Sequence, residues 1–249
     1  MAEFLLLFFI ALVANMFSAL AGGGAGLLQF PVLLFMGLPY PVALATHKVA
    51  SVALGLGATS RHLQNGSLNG RFAAFILACG LPGVVIGALL VQGLNEAAAR
   101  AALGVLMLAL SLYSFFSPQL GRVSQARNRS PAGYAVGGAG LFIIGVLNGS
   151  LTAGTGLFCT MLLVRWFGLD YKRATAYTLV LVGVFWNGIG ALTLGFGGNI
   201  QWSWLPPLIA GALIGGYAGA HLAIANGNAL IKRSYEVITL LVGLKLVLG

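Results

Sequence analysis

The sequence predicts an all-α integral membrane protein made of two inverted repeats, each a broken-helix hairpin followed by three transmembrane helices. Three observations carry this expectation: an apolar composition with very little charge, a glycine-rich pattern that occurs twice, and a one-sided distribution of Lys and Arg.

Hydrophobic residues make up 59% of the 249 residues and charged residues 7%, against about 45–50% and about 25% in soluble domains. Runs such as Phe4–Leu20, Phe72–Gly93 and Leu230–Leu248 are apolar on every helical face, which suits lipid and not a one-sided soluble core. The net charge of +9 comes from Lys and Arg at segment ends, where they meet headgroups and set orientation. No basic patch is interleaved with aromatics, so nucleic acid is not expected as a partner. Cys79 and Cys159 lie inside apolar segments without CxxC spacing and read as small packing residues. The first 20 residues resemble a secretory signal, but the n-region carries Glu3 and no Lys or Arg, so a retained first helix is expected.

The duplication is visible in the residues. Gly24-Ala25-Gly26-Leu27 recurs as Gly154-Thr155-Gly156-Leu157, and Gly37-Leu38-Pro39-Tyr40 as Gly168-Leu169-Asp170-Tyr171. Ala43 and Ala45 then align with Ala174 and Ala176. Each half reads as an apolar helix, a glycine-rich break, a short apolar stretch, a turn and three longer helices. The expected elements are 4–20, 27–36, 42–63, 72–92 and 98–116, then 133–148, 157–167, 174–196, 205–224 and 230–248. This divides the chain into a first membrane repeat (1–116), a basic cytoplasmic linker (117–132) and a second membrane repeat (133–249).

Positive charge selects the topology, because cytoplasmic loops collect Lys and Arg. If each glycine break merely interrupts one long helix, the basic residues divide evenly between the two faces. If the break turns the chain back, Arg61, Arg71, Arg122, Arg127, Arg129, Arg165, Lys172, Arg173, Lys232 and Arg233 share one face, leaving Arg100 and Lys245 on the other. The hairpin is therefore expected. Five elements per half is an odd number, so the halves run oppositely and both termini lie outside the cytoplasm, a plan used by secondary transporters.

Glycine-rich backbone at membrane depth leaves peptide groups that only protein or a polar cavity can satisfy. Each break, Gly22 to Gly26 and Gly149 to Gly156, precedes a short helix whose positive end suits an anion, although close packing of small residues would use the same pattern. Gly23, Gly24, Gly26, Gly154, Thr155 and Gly156 are the candidate backbone site around one small anion. Lys48 follows His47 two turns into an apolar helix with no acidic residue nearby. An intramembrane Lys reads as a site residue by default, with snorkelling to the interface as the alternative. Thr46, beside His47, and Thr178, in the second half, complete the candidate set. Arg61, His62 and Arg71 read as headgroup contacts, Arg165 as an anchor and His221 as a packing or hydrogen-bonding residue. Asn187 reads as pathway or helix glue, and Trp202 and Trp204 as an interfacial belt.

The four acidic residues, Glu3, Glu96, Asp170 and Glu236, fall near expected segment ends, which argues against an antiporter built on buried carboxylates. There is no GxxxxGK[ST] loop, HExxH or GxSxG pattern, so nucleotide hydrolysis and proteolysis lack their usual apparatus and no cofactor, metal or enzymatic activity is expected.

The glycine break leading to Pro31, the Gly-Leu-Pro turn and Ala43-Leu44-Ala45-Thr46-His47-Lys48 resemble the TauE/SafE family of membrane permeases over nearly the whole chain. The resemblance implies a multi-pass protein of the bacterial plasma (inner) membrane that exports a small anion, sulfite or an organosulfonate such as sulfoacetate. Asn often stands in that family where this chain has His47. A passive anion channel, proton-coupled uptake of a sulfur-containing anion and a non-transporting scaffold are the alternatives. Expected partners are the anion and membrane lipids, with a second copy of the chain as a candidate for a homodimer.

Overall fold

In the computed structural model, which describes residues 1–63, 68–91, 96–117, 119–152 and 154–248, every regular element is helical. Residues 64–67 of the 61–71 loop, Pro118 of the linker, Ala153 of the second break and the side chains of Glu96 and Arg100 lie outside the described residues.

Local chemistry sets the helix ends. Helix α1 (Ala2–Ala21) stops at Gly22, which is left-handed at φ 83° and donates its N–H to Ser18 O. A 3₁₀ turn (Ala25–Leu27) leads into α2 (Gln29–Phe35), and Gly37 at φ 96° turns the chain into α3 (Tyr40–Leu63). Helix α4 (Gly70–Leu89) is capped by Asn69, which accepts from Phe72 N–H. It is followed by α5 (Glu96–Phe115). Helix α6 (Pro131–Ser150) has a Ser130 cap and Pro in its first turn, where the missing N–H costs nothing. Then come α7 (Thr155–Arg165) and α8 (Tyr171–Tyr177), the latter capped by Asp170.

One element departs from the expected pattern. The helix expected over 174–196 is α8 running through a π-helical segment (Thr178–Trp186) into α9 (Asn187–Gly195). The helices expected over 205–224 and 230–248 are both present within α10 (Leu205–Leu248), as two helical runs that meet at Gly227, whose φ of 71° and ψ of −167° are non-helical. Gly227, in a conformation open only to glycine, makes the turn between the two runs.

Among the described residues, six helical stretches are long and apolar enough to cross a membrane: Ala2–Ala21, Tyr40–His62, Gly70–Leu89, Pro131–Ser150, Tyr171–Gly195 and Trp202–Lys245. Their outer faces carry exposed large side chains such as Phe9, Phe35 and Phe196, the surface a lipid solvent requires. The chain is a multi-pass membrane protein.

Helix pairs close through glycine, as association in lipid favours. A Cβ on Gly211, Gly215 or Gly219 of α10 would run into the carbonyls of Phe8, Leu12 and Met16 of α1. On the other side, Gly83 and Gly87 of α4 face the carbonyls of Phe142 and Val146, while Gly145 and Gly149 of α6 face those of Gly80 and Val84. The first helix of each half thus packs on the fourth helix of the other. Between these pairs α3 meets the π segment at Gly55, where an added Cβ would stand 2.7 Å from Gly183 C.

One end of the bundle is tied together by loops. Tyr171 N–H donates to Gly121 O (2.8 Å), Gln125 N–H to Gly168 O (2.8 Å) and Asn228 Nδ2 to Arg122 O (2.9 Å). At the other end Gln201 N–H donates to Thr46 Oγ1 (3.0 Å).

Candidate functional site

The two glycine-rich breaks cross in the interior. Gly22, Gly23 and Gly24 all have positive φ (83°, 143° and 107°), a run that only glycine adopts without strain. A Cβ on Gly23 would lie 2.7 Å from the Cα of Gly156, so the two backbones touch with no side chain between them. Thr160 Oγ1 donates to Gly22 O (2.8 Å) and shares a hydrogen bond with Thr178 Oγ1 (3.0 Å), fastening the first break to α7 and to the start of the π segment. The second break holds Thr152 at φ 54° and Gly154 at φ 74°. There Thr155 Oγ1 donates back to Thr152 O (2.9 Å). A non-glycine residue in the left-handed region is uncommon and marks a conformation imposed by its surroundings.

Beside this crossing lies a buried cavity of about 40 Å³, room for a few water-sized groups. Seven of the sequence-predicted residues line it: Gly23, Gly24, Gly26, His47, Thr155, Gly156 and Thr178. Three do not. Thr46 turns its hydroxyl to Gln201 N–H. Gly154 faces Met107, where a Cβ would strike the methionine methyl. Lys48 stands behind the wall, held by residues that line it.

Lys48 is fully buried, with room for its stem made by Gly190, where a Cβ would come within 2.9 Å of Lys48 Cδ. Its Nζ donates to Asn148 O (2.7 Å), Asn148 Oδ1 (3.1 Å) and Asn187 Oδ1 (3.4 Å). Three acceptors match the three donors of an ammonium. Among the described residues no carboxylate pairs with it, so neutral dipoles alone balance the charge. Burial of an ion costs several kcal/mol that such dipoles offset only in part. Asn148 also donates Nδ2 to Thr155 Oγ1 (2.9 Å), linking Lys48 to the first turn of α7.

The depth of Lys48 excludes snorkelling, since its ammonium points inward to α6 and α9. His47 Nε2 lies 3.2 Å from Ser51 Oγ. The cavity lining leaves two buried polar atoms without partners, Ser18 Oγ and His47 Nδ1. Buried polar atoms are normally satisfied, so these two are open valences for whatever enters.

Sequence reasoning did not single out Asn148, Ser18, Ser51 or Thr160. Asn148 was detectable as a polar residue in an apolar helix immediately before a break. Ser and Thr in apolar helices carry no such signal, because back-bonding to their own helix is their common state. Among the acidic residues, Glu236 lies in the second helical run of α10, four residues after the buried Lys232, and the two form an ion pair. Ser114 Oγ donates to Glu236 Oε1 (2.9 Å). The ion pair does not line the cavity. Of the remaining residues, Arg165 stands over the Tyr113 ring (5.8 Å), and His221 Nδ1 accepts from Arg61 Nε (3.0 Å).

Comparison with known proteins agrees with the geometry of a membrane-embedded polar site. The sulfite exporter TauE/SafE family matches residues 7–246. A probable membrane transporter protein of Haemophilus influenzae is 30% identical over 97% of this chain and 93% of its own length. The probable membrane transporter protein YfcA of Escherichia coli is 28% identical over 96% and 88%. The probable membrane transporter protein YunE of Bacillus subtilis is 22% identical over 98% and 97%. No solved structure matches.

Proposed function

The chain belongs to the sulfite exporter TauE/SafE family and is a membrane transporter, and we propose that it carries a small anion, sulfite or an organosulfonate, out of the bacterial cytoplasm across the plasma (inner) membrane. The observation that carries this reading is the buried Lys48 ammonium, balanced only by neutral oxygens of Asn148 and Asn187, at the wall of the cavity where the two breaks cross. A single negative charge about 6 Å away gains about 3 kcal/mol at an effective dielectric of 20, and the N-terminal end of α7, at Thr155 and Gly156, adds its dipole. A cation in the same cavity meets the reverse field.

The reciprocal packing of α1 on α10 and α6 on α4 supports reading the chain as two inverted repeats, 1–116 and 133–249, joined by the basic linker 117–132. Rocking of one repeat against the other would alternate access to a site at their junction. The cavity of about 40 Å³ suits a compact anion, and an organosulfonate requires its walls to part. Export needs no buried carboxylate or nucleotide. An anion leaving a cytoplasm held negative gains about 2.3 kcal/mol per charge per 100 mV, about 50-fold accumulation outside.

The test is flux into and out of proteoliposomes with sulfite, thiosulfate, sulfoacetate and chloride in parallel. Saturable movement of a sulfur oxyanion, accelerated by the same anion on the far side, is the expected result. Flux that neither saturates nor shows that acceleration describes a channel, and no flux of any of the four removes the transport reading.

A further inference from the structure

At the end of the bundle tied by the 117–132, 168–173 and 228 loops lies a second, much larger cavity of about 1110 Å³. Arg71, Arg129, Lys172 and Arg173 line it, with Asp170 as the carboxylate among the lining residues. Asp170 is already engaged, capping α8 and pairing with Arg173 Nε at 3.5 Å. His62 also lines it, buried, with Nε2 unpartnered. The cavity is therefore strongly positive and offers an open polar valence to an anion.

This vestibule and the buried cavity share two helices. On α3, His62 lines the vestibule and Leu54 the cavity, eight residues or about 12 Å apart along the axis. On the α8 side the two are one residue apart: Tyr177 lines the vestibule and Thr178 the cavity. The Tyr177 ring meets Phe72 edge-on (5.3 Å between centroids), its hydroxyl accepts from Asn69 N–H (2.8 Å), and the Arg129 guanidinium covers Phe72 at 4.5 Å.

We propose that this basic vestibule is the anion-collecting mouth of the pathway, and that Tyr177 and Phe72 form the partition an anion passes to reach the buried cavity. The proposal rests on the anion-transport reading above. Convergent cations in a recess raise the local anion concentration by about 10-fold or more, which lowers the substrate level needed for half-maximal flux without touching the buried site. Anionic lipid headgroups share this chemistry, and lipid composition separates the two sources.

The experiment measures labelled sulfite flux from the vestibule side in phosphatidylcholine liposomes for the wild type and for Arg71→Gln/Lys172→Gln. The expected result is a KM raised about tenfold at unchanged maximal rate, with most of its dependence on ionic strength gone. An unchanged KM, or an effect confined to liposomes containing anionic lipid, overturns the capture role. If the wild type moves no anion, the transport reading falls separately. Equilibrium binding of labelled sulfite to purified protein then decides: weaker binding by the double variant sustains the vestibule, and equal or absent binding overturns it. For the partition, Thr178→Cys in a Cys79→Ala/Cys159→Ala background is labelled with an anionic methanethiosulfonate. Labelling should be slow with Tyr177 present and at least tenfold faster with Tyr177→Leu, both variants being checked for wild-type thermal unfolding. Equal rates place the barrier elsewhere.

Discussion

Gly23 and Gly156 lie backbone against backbone, close enough that a Cβ on Gly23 would sit 2.7 Å from the Cα of Gly156 and one on Gly156 3.0 Å from the Cα of Gly23. The contact joins the two glycine-rich breaks and forms one side of the buried cavity.

Gly23→Ala meets both penalties, a φ of 143° and a backbone clash, each of about 1–3 kcal/mol. Flux should fall by more than tenfold with a lower unfolding temperature. Gly37→Ala is the control, since φ there is 96° but nothing lies within 4 Å of the added carbon. It should lose some stability and keep its flux. Equal flux loss in the two variants would mean that backbone strain, and not the crossing, is responsible.

The reciprocal helix pairs make a matched prediction. Gly215→Ala pushes against the Leu12 carbonyl and Gly83→Ala against the Phe142 carbonyl. Each should destabilise the solubilised protein by about 1–3 kcal/mol, read as a drop in Tm. Indifference of one variant to the change would break the equivalence of the two halves.

Much of this architecture is legible in the residues. All ten helical stretches and both breaks follow from apolar runs punctuated by glycine, because in lipid the only solvent pattern to read is length between interruptions. Lys48 and His47 announce themselves because a charge or an imidazole in an apolar helix has few structural uses. What the sequence does not disclose is direction: whether Thr46 and Gly154 face the cavity depends on helix rotation, and they turn to Gln201 and Met107 instead. The π segment is equally silent, since Thr178 to Trp186 reads as ordinary helix.

The driving force separates two roles for His47. Its Nε2 is held near Ser51 Oγ at 3.2 Å, a contact that an amide can replace. In liposomes at fixed pH, flux should follow an imposed potassium–valinomycin potential, and His47→Asn should retain within about threefold of wild-type flux. If transport instead follows a pH gradient at fixed potential and is abolished by His47→Asn with folding intact, the imidazole carries a proton in each cycle.

If the charge of Lys48, which no carboxylate balances, draws the anion into the cavity, sulfite flux at fixed potential should fall in Lys48→Gln and in Asn148→Asp. The first removes the charge. The second supplies a carboxylate 3.1 Å from Nζ, at the position of the present amide oxygen, so that the protein itself neutralises the site. A loss of about 3 kcal/mol in anion stabilisation corresponds to about 100-fold in flux, and both variants, correctly inserted, should show a loss of that order. Wild-type sulfite flux in both would contradict the account.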